Sequence, residues 1–163
     1  MNISLGQVRI AGAILGALAV ALLLNHIIVT DKKRVERTVH EMADAAAKGD
    51  VDLLFSHVSA NYRDEAMTRE QLKSLAKSLL PRYQPENAKV QAISVNVTGA
   101  MAHAQVAISS REQSGGYTWY GTSEWSAEFR KEADGAWRVT SVMPARFFGR
   151  DVSGWRDVLR QFH

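Results

Sequence analysis

Three patterns of apolar and polar residues follow one another along this chain. Residues 10–29, IAGAILGALAVALLLNHIIV, carry no formal charge. At ~1.5 Å rise per residue a helix of that length spans roughly 30 Å, the thickness of a hydrocarbon core. Then the period becomes helical. Val35, Val39, Met42, Ala43 and Ala46 make one stripe, which predicts a helix over 33–48. Gly49 is a C′ stop and Asp50 an N-cap for a second short helix carrying Leu53, Leu54 and Phe55, which runs into His57 to Arg63. Thr68-Arg-Glu-Gln71 has the form of a capping box. It opens a third helix with Leu72, Leu75, Ala76 and Leu79 on one face, ended by Pro81.

Beyond Pro81 the pattern alternates. Residues 89–98 place Ile93, Val95 and Val97 on one face of a strand, and residues 101–110 do the same with Ala102, Ala104, Val106 and Ile108. Turns follow at Gly99-Ala100 and Ser114-Gly-Gly116. Residues 117–130 form a third strand, well above the usual ~5–6 residues, with Gly121 as the expected bulge or kink. Asp134-Gly135 signals a hairpin, and a fourth strand over 137–143 is closed by Pro144. In the tail, Trp155, Val158, Leu159 and Phe162 share one face of a short amphipathic helix. Its aromatics pack on the sheet by default, with a pocket lid, a membrane contact and a homodimer contact as alternatives. The fold class is therefore α+β: a transmembrane helix, then three helices on one face of an antiparallel sheet.

The apolar span excludes two other readings. A helix apolar on every face would need a larger core than residues 31–163 supply. A cleaved signal would have a shorter run, of about 7–15 residues, and a small-x-small site, which is missing before Asp31. Within the span, Gly12 and Gly16 have the spacing of a helix-packing pair, although an alanine-rich span explains them as well. Asn25 and His26 sit near its end, where polar groups reach headgroups or water. Lys32, Lys33, Arg34 and Arg37 after the span, against Arg9 before it, point to a cytoplasmic domain; long domains cross despite such charges, so the side stays open.

Twenty basic residues interleave with 17 acidic ones for a net charge of +3, and no basic block suited to nucleic acid appears. There is no cysteine, which fits either compartment. Five scattered histidines do not make a metal site, and no phosphate loop or catalytic elbow occurs, so neither metal nor cofactor is expected.

The run AAAKGDVDLLFSHVSANYRDEAMTREQL and the later YGTSEWSAEFRKEADGAWRVTSVMP, with its Trp-Arg-Val-x-x-Val strand, resemble the nuclear transport factor 2-like superfamily in its SnoaL-like bacterial branch. The resemblance covers residues 33–144 and rests on element order and spacing. It implies a cone, a curved sheet wrapped around the helices and often enclosing a pocket. The domains are then a tail over 1–9, the span over 10–29, the cone over 30–144 and an amphipathic tail over 145–163. Members include isomerases, dehydratases, cyclases, binding modules and membrane-tethered assembly parts, so the fold does not fix the function.

Catalytic members hold an Asp or His base and Tyr or acidic donors inside the cone. Here His57, Tyr62 and Asp64 are the candidates, against solvated loop residues as the alternative. His103, opposite Ala102 and Ala104, reads as a surface histidine. Tyr117, Trp119, Trp125, Phe129 and Trp137 either line a ligand cavity or fill the core. The leading expectation is a non-catalytic, single-pass domain that meets the bilayer through residues 10–29 and binds a small apolar ligand or a partner protein. The alternatives are an isomerase or dehydratase acting on a membrane-soluble substrate, and a structural subunit of a membrane complex.

Overall fold

Three helices open the described chain, and their ends are chemically marked. α1 (Asp31–Ala47) begins on an acidic residue, which favours a helix N-terminus. It ends at Gly49, whose φ of +68° supplies the left-handed turn. The Asp50 carboxylate accepts from the Leu53 N–H at 2.9 Å and caps α2 (Val51–Ser56). α3 (Arg69–Tyr83) opens on a reciprocal box: Thr68 N–H donates to Gln71 Oε1 at 2.9 Å, and Gln71 N–H donates to Thr68 Oγ1 at 3.4 Å. Pro81 does not end α3 as its ring would suggest. It sits in the last turn, where the missing N–H removes one bond from a helix that stops at Tyr83 anyway.

The structure is a computed structural model that describes residues 30–64, 66–83, 86–114 and 117–160, without the side chains of 82–87, 112–114 and 117–119. The predicted span over 10–29, with Gly12, Gly16, Asn25 and His26, lies outside the described residues. Among the described residues no helix is long and apolar enough to cross a membrane.

Five antiparallel strands follow in the order β1-β2-β3-β4-β5: β1 (Glu86–Thr98), β2 (Met101–Ser114), β3 (Tyr117–Lys131), β4 (Trp137–Phe147) and the short β5 (Arg150–Asp151). α1 packs against both β1 and β4, which requires a sheet curved around it. The bulges that permit this lie in the flanking strands. The β2–β3 ladder is continuous from Met101↔Arg130 to Ser114↔Tyr117, so Gly121 is no bulge. Its missing side chain admits Phe148 instead: a Cβ there would stand 2.5 Å from Phe148 Cδ1.

β4 carries two register shifts against β3, one at Thr140 and one at Ala145. Each extra residue reverses the alternation, so the inward side chains run Trp137, Val139, then Val142, Pro144, then Phe147. Pro144 therefore does not close the strand. It lies beside the second bulge, where the ladder is already interrupted and a missing donor costs little.

The open edge of β4 is covered at both ends. At one, His57–Arg63 runs alongside it, with Val58 bridged to Val139 and Ser59 N–H donating to the Val139 carbonyl at 2.9 Å. At the other, β5 pairs with Arg146 and Phe147. The tail closes with α4 (Trp155–Arg160), held by Trp155 Nε1 donating to the Val142 carbonyl at 2.8 Å.

The core gathers Val35 and Val39 of α1, Phe55, Val58 and Tyr62, and the inward residues Ala104, Val106, Phe129, Trp137 and Val139. Burying a side chain such as Phe129, which is 1% exposed, contributes ~1.5–3 kcal/mol. Residues 31–163 form one compact unit carrying this whole cluster, and a core of its own is the condition for a domain to fold alone.

Candidate functional site

The three helices do not fill the concave side of the sheet. Between them lies a cavity of about 330 Å³, within the ~300–1,000 Å³ range of small-molecule sites. Its helical wall consists of Met42, Ala43 and Ala46 from α1, Leu54 and Phe55 from α2, and Leu72, Leu75, Ala76, Leu79 and Leu80 from α3. Three of these are alanines, and their short side chains leave the space open. The sheet wall carries Ile108 and Ser110 from β2, Ser123 and Trp125 from β3, and Val139, Val142 and Phe147 from β4. Trp155 and Val158 of α4 close one side. An aromatic cluster supports that side: Trp125 lies 5.5 Å from Trp155 and 6.1 Å from Phe147, ring centre to ring centre.

Of the predicted catalytic trio, the cavity receives one member. Tyr62 is buried, lines the cavity, and is positioned by the pairing of residues 57–63 on β4. Its hydroxyl donates to Asp64 Oδ2 at 2.5 Å. Burial pushes the Tyr62 phenol far above its ordinary value, and the neighbouring Asp64 carboxylate adds to the rise. The hydroxyl therefore stays protonated, and its proton is committed.

Asp64 is turned the other way. Oδ1 accepts from the Ala66 and Met67 N–H groups at 2.7 and 2.6 Å, which is turn chemistry. Asp64 borders a separate polar depression with Ser153, Arg156, Asp157 and Arg160; Val142 and Trp155 divide that depression from the cavity. His57 stands apart again, with Nε2 3.7 Å from Glu41 Oε2. Tyr62 and Asp64 are thus together, and the three do not converge on one space.

The predicted aromatic set also divides. Trp125 lines the cavity. Phe129 and Trp137 belong to the closed core, and Trp137 Nε1 donates to Asp31 Oδ1 at 3.1 Å. The side chains of Tyr117 and Trp119 lie outside the described residues. His103 Nε2 lies 2.8 Å from Ser126 Oγ on the exposed face of the sheet. Sequence reasoning did not name the helical lining. The stripe Leu72, Leu75, Ala76, Leu79 was visible, and its signal was the mixture of leucines with small residues facing a sheet.

Among the described residues no carboxylate, imidazole or cation lines the cavity, and no group of three or more His, Cys, Asp or Glu could hold a metal. The surface offered is apolar, with the hydroxyls of Tyr62, Ser110 and Ser123 as its polar points.

No protein-family model and no curated protein sequence matches the chain. Solved structures do match its fold. A nuclear transport factor 2-like protein from Cytophaga hutchinsonii superposes with a TM-score of 0.62 at 13% identity, over 73% of this chain and 100% of that one. A ketosteroid isomerase-like protein from Erwinia carotovora atroseptica gives 0.61 at 14% identity, over 71% and 95%. A candidate dehydratase of the same family from Streptomyces avermitilis gives 0.61 at 16% identity, over 72% and 96%. At these identities the likeness establishes the nuclear transport factor 2-like fold.

Proposed function

We propose that this domain binds a small apolar molecule inside its cone without transforming it, and that residues 10–29 hold it at a bilayer. One observation carries the reading: a cavity of about 330 Å³ walled by apolar side chains, with no acid or base among its described lining residues. General acid–base chemistry needs a titratable group within hydrogen-bond reach of the substrate. Here the one phenol among the described lining residues is held protonated and donates its hydrogen bond to Asp64. Binding needs less: apolar area to cover and a few polar points to orient the guest. The test is saturable binding of an apolar fluorescent probe that disappears when the cavity is filled by mutation.

A second reading takes its support from the isomerase-like and dehydratase-named neighbours of the fold. Asp64 or His57 would act as base and Tyr62 as donor on a membrane-soluble substrate. It requires those side chains to turn into the cavity, and turnover lost in Asp64→Asn would favour it. A place as a subunit of a membrane complex is a third role, tested by stoichiometric partners in a mild-detergent purification.

A further inference from the structure

The chemistry of the cavity wall restricts what the cavity accepts; this inference rests on the binding function proposed above. Few polar points on the wall are unspent. Trp155 donates its N–H to the Val142 carbonyl and Tyr62 donates its O–H to Asp64, while Ser123 Oγ accepts the Phe148 N–H at 3.2 Å and keeps its own O–H. Ser110 adds a neutral hydroxyl.

Among the described residues, ionised groups stand behind the wall rather than in it. Asp64 lies behind Tyr62. Arg69 and Lys73 lie over the Phe55 ring, 5.7 and 5.9 Å from its centre, and neither lines the cavity. Arg69 donates to the Phe55 and Val58 carbonyls, and Lys73 pairs with Asp52 at 2.8 Å.

We infer that the cavity selects neutral apolar molecules bearing a hydroxyl or carbonyl group and rejects the carboxylates of the same chain length. A carboxylate drawn into this space loses its hydration and, among the described lining residues, meets no cation and only the neutral hydroxyls of Ser110 and Ser123 as free donors. Asp64, the ionised group next to Tyr62, has the wrong sign to help. A hydroxyl loses far less on entry, and a hydroxyl such as that of Ser110 can satisfy it.

The experiment compares 1-decanol with decanoate as competitors for 1-N-phenylnaphthylamine bound to residues 31–163. At about pH 8, decanol is expected to compete at least about tenfold more strongly than decanoate. Lowering the pH toward about 5, near ordinary carboxyl values, protonates decanoate and lets the neutral acid enter. Its apparent affinity then rises, by up to about tenfold per pH unit, while that of decanol stays level. Equal affinities with no pH dependence would overturn this inference and leave the binding function intact, since the head group would then sit in water at the mouth. Failure of both compounds and of the probe would overturn the binding function itself.

Discussion

Gly121 lies flush against Phe148, so close that a single added methyl on the glycine would fall 2.5 Å from the Phe148 ring and 3.2 Å from its Cα. Phe148 has a φ of +48°, a conformation that bulky residues rarely adopt. Its N–H is held by Ser123 Oγ, and its ring meets Phe147 edge-on at 4.8 Å between centres. Phe147 in turn lines the cavity. A glycine in the middle of a long strand thus secures one end of the binding space.

Gly121→Ala is expected to destabilise the domain by about 1–3 kcal/mol, because the backbone of Phe148 cannot give way as a flexible side chain would. Urea denaturation of residues 31–163 measures it. An unchanged midpoint would show that Phe148 can leave its seat freely.

Ala76→Leu addresses the hollow directly. Ala76 lines the cavity and is only partly buried against the core. If the space is open, three added carbons find room and stability holds or rises. In a filled interior the same change would cost ~1–3 kcal/mol. The thermal midpoint of the variant separates the two.

The start of α1 should be sensitive to acid. Asp31 Oδ1 accepts from Trp137 Nε1 at 3.1 Å and from Lys131 Nζ at 3.0 Å. The Trp137 hydrogen bond, then that of Lys131, holds the carboxyl below its ordinary 3.8. A depressed folded-state value means that the stabilisation is complete above the ordinary value and is lost as the pH falls below it. Asp31→Asn should therefore unfold at lower urea than the parent at neutral pH, and the difference should shrink as the pH drops below about 4. A difference that persists in acid would assign the effect to shape rather than charge.

Deleting residues 1–30 is expected to move the protein from the membrane fraction to the soluble one, with the circular dichroism of the domain retained. A full-length chain found in the soluble fraction would remove the anchor from the account.

The sequence resolved direction better than depth. Alternation in 89–98 and 101–110 assigned Ile93, Val95 and Val97 of β1 and Ala102, Ala104, Val106 and Ile108 of β2 to the inward face correctly, because the ladder between them is regular from Ala92 onward. The same alternation made Trp125 and Trp137 look alike. One lines the cavity and the other is sealed in the core beside Asp31, because the position along a curved sheet sets how near the helices come. In β4 no face was legible: the bulges at Thr140 and Ala145 reverse the inward side, and neither residue announces a bulge. His57, Tyr62 and Asp64 were recognisable as polar candidates at the end of a short helix. That Tyr62 turns inward and Asp64 outward depends on the long-range pairing of Val58 with Val139, which local sequence does not encode.

The proposed function stands on the cavity as a binding site. The direct test is a titration of residues 31–163 with 1-N-phenylnaphthylamine, run on the parent and on Ala76→Leu. Saturable one-to-one binding in the parent, lost or weakened at least about tenfold (about 1.4 kcal/mol) in the variant, is the predicted result. No saturable binding in the parent, or equal binding in both proteins, would contradict it.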